Sequence, residues 1–146
     1  MNTTQVTALP TTPSGAATHF FARLVVWAAL PLILFGGSVT SLDAGMAIDG
    51  WLTVDSSQGE RLLWLYPLED WFRNLGQFVE HSHRMMGTVV GVFAVCTVFA
   101  AFATGATAKV RWVTGLALFA VCVQGAIGGF RVLENSSGLA FLHGAL

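Results

Sequence analysis

The sequence predicts an all-α integral membrane protein, a four-helix transmembrane bundle whose fourth helix is cut short. Of its 146 residues 54% are hydrophobic and only 10% charged, where a soluble domain carries about a quarter charged. Three segments, about residues 21 to 39, 85 to 103 and 113 to 130, are apolar over the roughly 20 residues that a spanning helix needs. A fourth apolar stretch opens near Leu139 and stops at Leu146, too short to span, so the chain is expected to end inside its fourth helix.

Taken in order, residues 1 to 18 are rich in Thr and Ala, contain Pro10 and Pro13 and carry no Lys or Arg. They read as a disordered cytoplasmic tail. A mitochondrial transit peptide would be Arg-rich, so a bacterial cytoplasmic (inner) membrane is the expected home. The first span is about twice the length of a signal-peptide core and lacks a small-residue cleavage site, which makes it a retained helix. With their polar flanks the helices are expected at about 21–39, 76–103, 110–130 and 137–146, the last incomplete, in one transmembrane unit covering 19–146. An outer loop of about 41–75 joins the first two.

Charge sets the expected orientation. Arg23 lies at the start of the first span and Lys109 and Arg111 in the short link before the third, whereas residues 41 to 77 hold six acidic residues against Arg61 and Arg73. Positive residues near span ends stay inside, so the amino terminus and the 104–112 link are assigned to the cytoplasm. The net charge of −1 and the lack of a basic cluster give no reason to expect nucleic acid. Cys96 and Cys122 both fall in apolar spans and read as small packing residues, not as a disulfide framework. The outer loop spreads Trp51, Trp64, Tyr66, Trp71 and Phe72 along its length. Either they form an interfacial aromatic belt or they build a lid over a cofactor edge. Residues 62 to 66, followed by Pro67, are expected to make a short helical turn.

The chemistry concentrates in Glu80-His81-Ser82-His83-Arg84, directly ahead of the uncharged second span. Ionisable groups there are costly and by default functional. On a helix Glu80, His83 and Arg84 lie at i, i+3 and i+4 and share a face, while His81 points some 100° away and reads as a structural or supporting group. His143 sits in the fourth helix. The second and fourth helices run in the same direction, and each histidine follows its helix start by a few residues, so at 1.5 Å per residue the two imidazoles reach similar depth. Two parallel helices can thus offer opposite axial ligands, His83 and His143, to one haem iron. Gly87 and Gly91 continue the Glu80 face inward, as a groove for a flat macrocycle or as a Gly-x-x-x-Gly packing motif. Gln124-Gly125-Ala126-Ile127-Gly128-Gly129 puts one polar side chain among glycines at the outer end of the third span.

The motif resembles the Glu-x-x-His-Arg signature of haem A synthases. Further stretches agree in order: Gly36-Gly37-Ser38-Val39-Thr40, then Gly45-Met46-Ala47 with Trp51, then Gln124 through Val132, then Leu139-Ala140 and His143-Gly144. The resemblance covers about residues 20 to 146. It implies the amino-terminal half of an eight-helix protein built from two similar halves, with His83 and His143 as axial ligands of the substrate haem O and a haem B cofactor in the other half. The implied reaction is oxidation of a methyl group of haem O to a formyl group, giving haem A for terminal oxidases, with Glu80 as the acid–base residue. Arg84 and Arg131, at the outer boundary, become candidates for the haem propionates, with His81 as a supporting group. A haem O synthase and an electron acceptor would be partners beside the lipid bilayer. Some members have a cysteine pair in the outer loop, which this chain lacks. Two other classes remain open on the residues alone: a b-type haem-binding electron carrier using the same histidines, in which Glu80 only pairs with Arg84, and a transporter or structural subunit without haem.

Overall fold

The computed structural model describes residues 15–146. It is mostly helical. Helix α1 spans Ala16–Ser41; strands β1 (Thr53–Ser56) and β2 (Gly59–Leu62), a 3-10 turn (Leu63–Leu65) and the short α2 (Leu68–Trp71) follow; then come α3 (Leu75–Ala103), α4 (Ala108–Leu133) and α5 (Ser137–Ala145). Helices α1, α3 and α4 are each long and apolar enough to cross a membrane, while α5 has nine residues. Of the expected tail, residues 1–14 lie outside the described residues, and residues 16–18 are the first turn of α1. Helix α1 thus begins ahead of its apolar stretch, with Ala16 and Ala17, both strong helix formers, in its first turn.

Side chains and backbone fix the helix ends. Asn74 accepts from the Gln77 N–H at 2.9 Å to start α3, Thr107 from Val110 to start α4, and Ser136 from Leu139 at 3.3 Å to start α5, each satisfying a first-turn donor. Helices α1, α3 and α4 end alike. Asp43, Gly105 and Asn135 take left-handed φ values of 49°, 64° and 44°, and the following N–H returns to a carbonyl of the last turn, closing the helix. Pro31 lies inside α1, where it removes one backbone donor and frees the carbonyl four residues earlier.

Helix α3 packs between α1 and α4, and α5 packs on α4. The hydroxyls of Thr18 and Thr104 lie 3.5 Å apart, so the start of α1 and the α3–α4 link share one end of the molecule. The residues between α1 and α3 occupy the other end. They fold into a cap around Ile48, Val54, Leu63 and Tyr66, with Trp71 against it. The expected turn at residues 62 to 66 is the 3-10 turn. The β1–β2 hairpin was not expected. It pairs Thr53 with Leu62 through Ser56 with Gly59, and only Val54 of its eight residues is buried, so it carries no alternating apolar signal.

Asp70 anchors the hairpin turn. It is buried, accepts from Ser57 N–H and Oγ, both at 2.8 Å, and pairs with Arg73. The hydrogen bonds from Ser57, with help from the Arg73 cation, hold its carboxyl below the usual carboxylate range. A lowered folded-state pKa stabilises above the unfolded value and is lost on acidification. The cap should therefore keep constant stability from neutrality down to about pH 4, the ordinary carboxylate value, and lose stability below it. Asp70→Asn should lower cap stability at neutral pH and flatten the acid limb, read by hydrogen exchange of the Ser57 amide.

Candidate functional site

The residues singled out from the sequence converge at the capped end. Glu80, on the second turn of α3, is 2% exposed. Its Oε2 accepts from the Ile48 N–H at 2.9 Å and its Oε1 from Arg84. Arg84 also donates to the carbonyls of Gly50 at 2.8 Å and Ile48 at 3.0 Å. The pair thus latches the cap backbone onto α3. Helical i, i+4 spacing brings carboxylate and guanidinium together, and burial under the cap makes each depend on the other and on those backbone groups. Arg84 faces the cap backbone with the donors that the sequence reading offered to propionates.

His81 turns away from this face, as its 100° offset requires. It is buried, stacked on Tyr66 (ring centroids 4.8 Å apart) and edge-on to Trp71 (4.5 Å), and Trp71 Nε1–H donates to Ser82. These contacts make it the key that seats the cap on α3. Of the five loop aromatics, Tyr66 and Trp71 face this histidine and Trp51 lies against α4. Trp64 and Phe72 stay exposed.

His83 and His143 meet across α3 and α5. Their ring centroids are 6.1 Å apart and their planes 80° from parallel. Each ring rests on a glycine. A Cβ at Gly36 would stand 2.9 Å from His83 Cε1, and one at Gly128 would stand 2.8 Å from His143 Cε1, closer than real Cβ atoms come. Because Gly36 lets the ring reach the α1 backbone, His83 Nδ1 lies 3.1 Å from the Leu32 carbonyl. A carbonyl only accepts, so Nδ1 carries the proton of the neutral ring and Nε2 keeps its lone pair. By contrast a Cβ at Gly87 would make ordinary contact with Leu32, and one at Gly91 would meet nothing within 4 Å among the described residues. The glycines that carry the rings are Gly36 and Gly128, one on each flanking helix.

Arg131, near the end of α4, donates to the Gly45 carbonyl at 3.0 Å, and a Cβ on Gly45 would overlap its guanidinium. A Cβ on Gly129 would overlap the Trp51 indole. Gly45 and Trp51 are thus where the cap locks onto α4. Arg131 lines a cleft of about 520 Å³ between Thr40 at the end of α1 and Ala140 of α5, with Met46 of the cap. Gln124, one turn before Gly128, donates from Nε2 to the His143 carbonyl at 2.8 Å.

Segments that carried the resemblance touch one another: Gly36 lies against His83, Gly45 against Arg131, Trp51 against Gly129, and Gln124 and Gly128 against His143. A heme A synthase from Rhodopseudomonas palustris (strain BisA53) is 34% identical over 118 residues, 78% of this chain. The chain is related to the haem A synthases. The matched stretch covers 32% of that haem A synthase, so this chain spans about a third of its length. No family model matches the chain, and no solved structure matches it.

Proposed function

We propose that this chain is the amino-terminal, substrate-holding half of an eight-helix haem A synthase, which oxidises a methyl group of haem O to a formyl group. The observation that carries the reading is the pairing of His83 with His143. Their ring centres lie 6.1 Å apart, close enough for both imidazoles to hold one metal ion. The glycine under each ring and the proton on His83 Nδ1 suit a role in holding a metal, since a ligating histidine donates its other N–H to an acceptor. His83 and His143 would hold the haem O iron. The bound haem supplies the redox chemistry.

The remaining residues bind, orient and exclude water. Glu80 is the carboxylate placed to take up protons as a methyl group is oxidised stepwise, while its bonds to Ile48 and Arg84 fix where it sits. Arg131, at the wall of the cleft, is the cation best placed to meet a propionate. The cap seated on His81 shields this end from water, and Gly87 and Gly91 leave the α3 surface flat below His83. In this reading the protein lies in a bacterial inner membrane with its amino terminus in the cytoplasm, haem B occupies the other half, and a haem O synthase and an electron acceptor work with it.

Haem extraction from the purified full-length protein, separated by chromatography, tests the reading. Haem O or haem A alongside haem B is expected. Haem B alone would make the protein an electron carrier, and no haem would remove it from haem chemistry.

A further inference from the structure

The short helix α2 has an apolar face left open to the outside. Leu68, at its first position, and Phe72, which closes it, stand at i and i+4 and share that face. Leu65 ends the 3-10 turn just ahead of them. The three side chains, Leu65, Leu68 and Phe72, are 65%, 67% and 64% exposed. The rest of α2 turns inward: Glu69 accepts from Gln58 at 3.2 Å and Asp70 from Ser57 at 2.8 Å, both in the hairpin turn, and Trp71 packs on His81. Charge is thus spent inside the cap and hydrocarbon is left outside, which in water costs free energy in proportion to the apolar area.

The surroundings of Phe72 say what covers this face. Its ring lies 5.5 Å from that of Phe78 in α3, and Phe78 lies 6.0 Å from Phe35 in α1. Phe35 is six residues before the end of α1 at Ser41, about 9 Å inward at 1.5 Å per residue, within a helix long and apolar enough to cross a membrane. Two aromatic contacts therefore run from α2 into the membrane-crossing part of α1, and the open face is continuous with a helix surface on which Leu34, beside Phe35, is 72% exposed. We propose that the face formed by Leu65, Leu68 and Phe72 is an interfacial anchor, seated among the lipid headgroups and upper acyl chains, as a segment apolar on one face and polar on the other sits in a bilayer surface. The cap is then held from two sides, by Glu80, Arg84 and His81 of α3 and by lipid. The aromatic belt and the lid, alternatives in the sequence, both exist: Tyr66 and Trp71 belong to the lid, Phe72 to the belt. The anchor holds whether or not the histidine pair takes haem.

Two measurements on the full-length protein in phosphatidylcholine vesicles test it. With p-benzoylphenylalanine in place of Phe72, irradiation should attach phospholipid to the α2 peptide, read by mass spectrometry, while the same probe in place of the exposed Glu60 of β2 should attach none. A crosslink to another segment of the chain, a crosslinked dimer, or no adduct at Phe72 would overturn the proposal, the first two by showing that protein covers the face. Leu68→Asp supplies the second measurement. An exposed substitution in water changes stability little, and Asp suits the first turn of a helix, so a water-facing Leu68 predicts no loss. Seated in lipid, the variant should lower hydrogen-exchange protection of the Ser57 amide by about 10-fold, whereas Leu68→Phe should keep it. Equal protection in wild type and Leu68→Asp would overturn the anchor.

Discussion

His83→Ala and His143→Ala in the full-length protein should each abolish low-spin haem in this half, while His81→Ala should retain it. The loss should exceed the roughly 10- to 100-fold that removal of a supporting partner costs a metal site, because in the proposed reading a ligand itself is gone and neither Gly36 nor Gly128 can replace it. His81→Ala acts elsewhere. It removes the ring between Tyr66 and Trp71, and it should cost about 1–3 kcal/mol of cap stability. Optical spectra of the reduced protein read out the haem, and hydrogen exchange of the cap amides reads out the effect of His81→Ala. An unchanged low-spin spectrum in His83→Ala would remove the bis-histidine assignment, whatever its effect on activity.

How far these positions were legible follows from what each signal depends on. Membrane length and apolarity are properties of single segments, so the three long helices could be read without knowing their neighbours. The 100° step of a helix separated His81 from His83 before any contact was known, and the structure sends one to the cap and the other to His143. Depth along parallel helices paired His83 with His143. The partners that hold these side chains are different in kind. Leu32, Ile48 and Gly50 take part through backbone atoms, which leave no mark on residue identity. Gly36 and Gly128 were visible only as members of glycine-rich stretches, because a missing side chain does not say which ring needs the space. Gly87 and Gly91 had the correct angular position relative to Glu80, yet Gly36 and Gly128 are the glycines that the rings press against. The hairpin escaped notice for a related reason: its strands are held by Asp70 and turn geometry, with Val54 alone carrying the inward signal.

Glu80→Gln should leave haem bound in this half while conversion of haem O stops or stalls at a partly oxidised product. The substitution is informative because the carboxylate has two visible tasks. Its oxygens accept from Ile48 and Arg84, and a Gln oxygen can still accept the Ile48 N–H. Arg84 keeps the Gly50 and Ile48 carbonyls, which hold the cap in place, while losing its buried counter-charge should cost about 3–5 kcal/mol. What the amide cannot do is exchange a proton. Helicity and hydrogen exchange in the cap report the latch, and chromatography of extracted haems reports the chemistry, so the two tasks are read independently. A loosened cap with normal haem A formation would reduce Glu80 to the anchor of Arg84. A seated cap with haem O accumulating would assign the proton-handling step to Glu80, since geometry and haem occupancy would both be intact and only acid–base capacity would be missing.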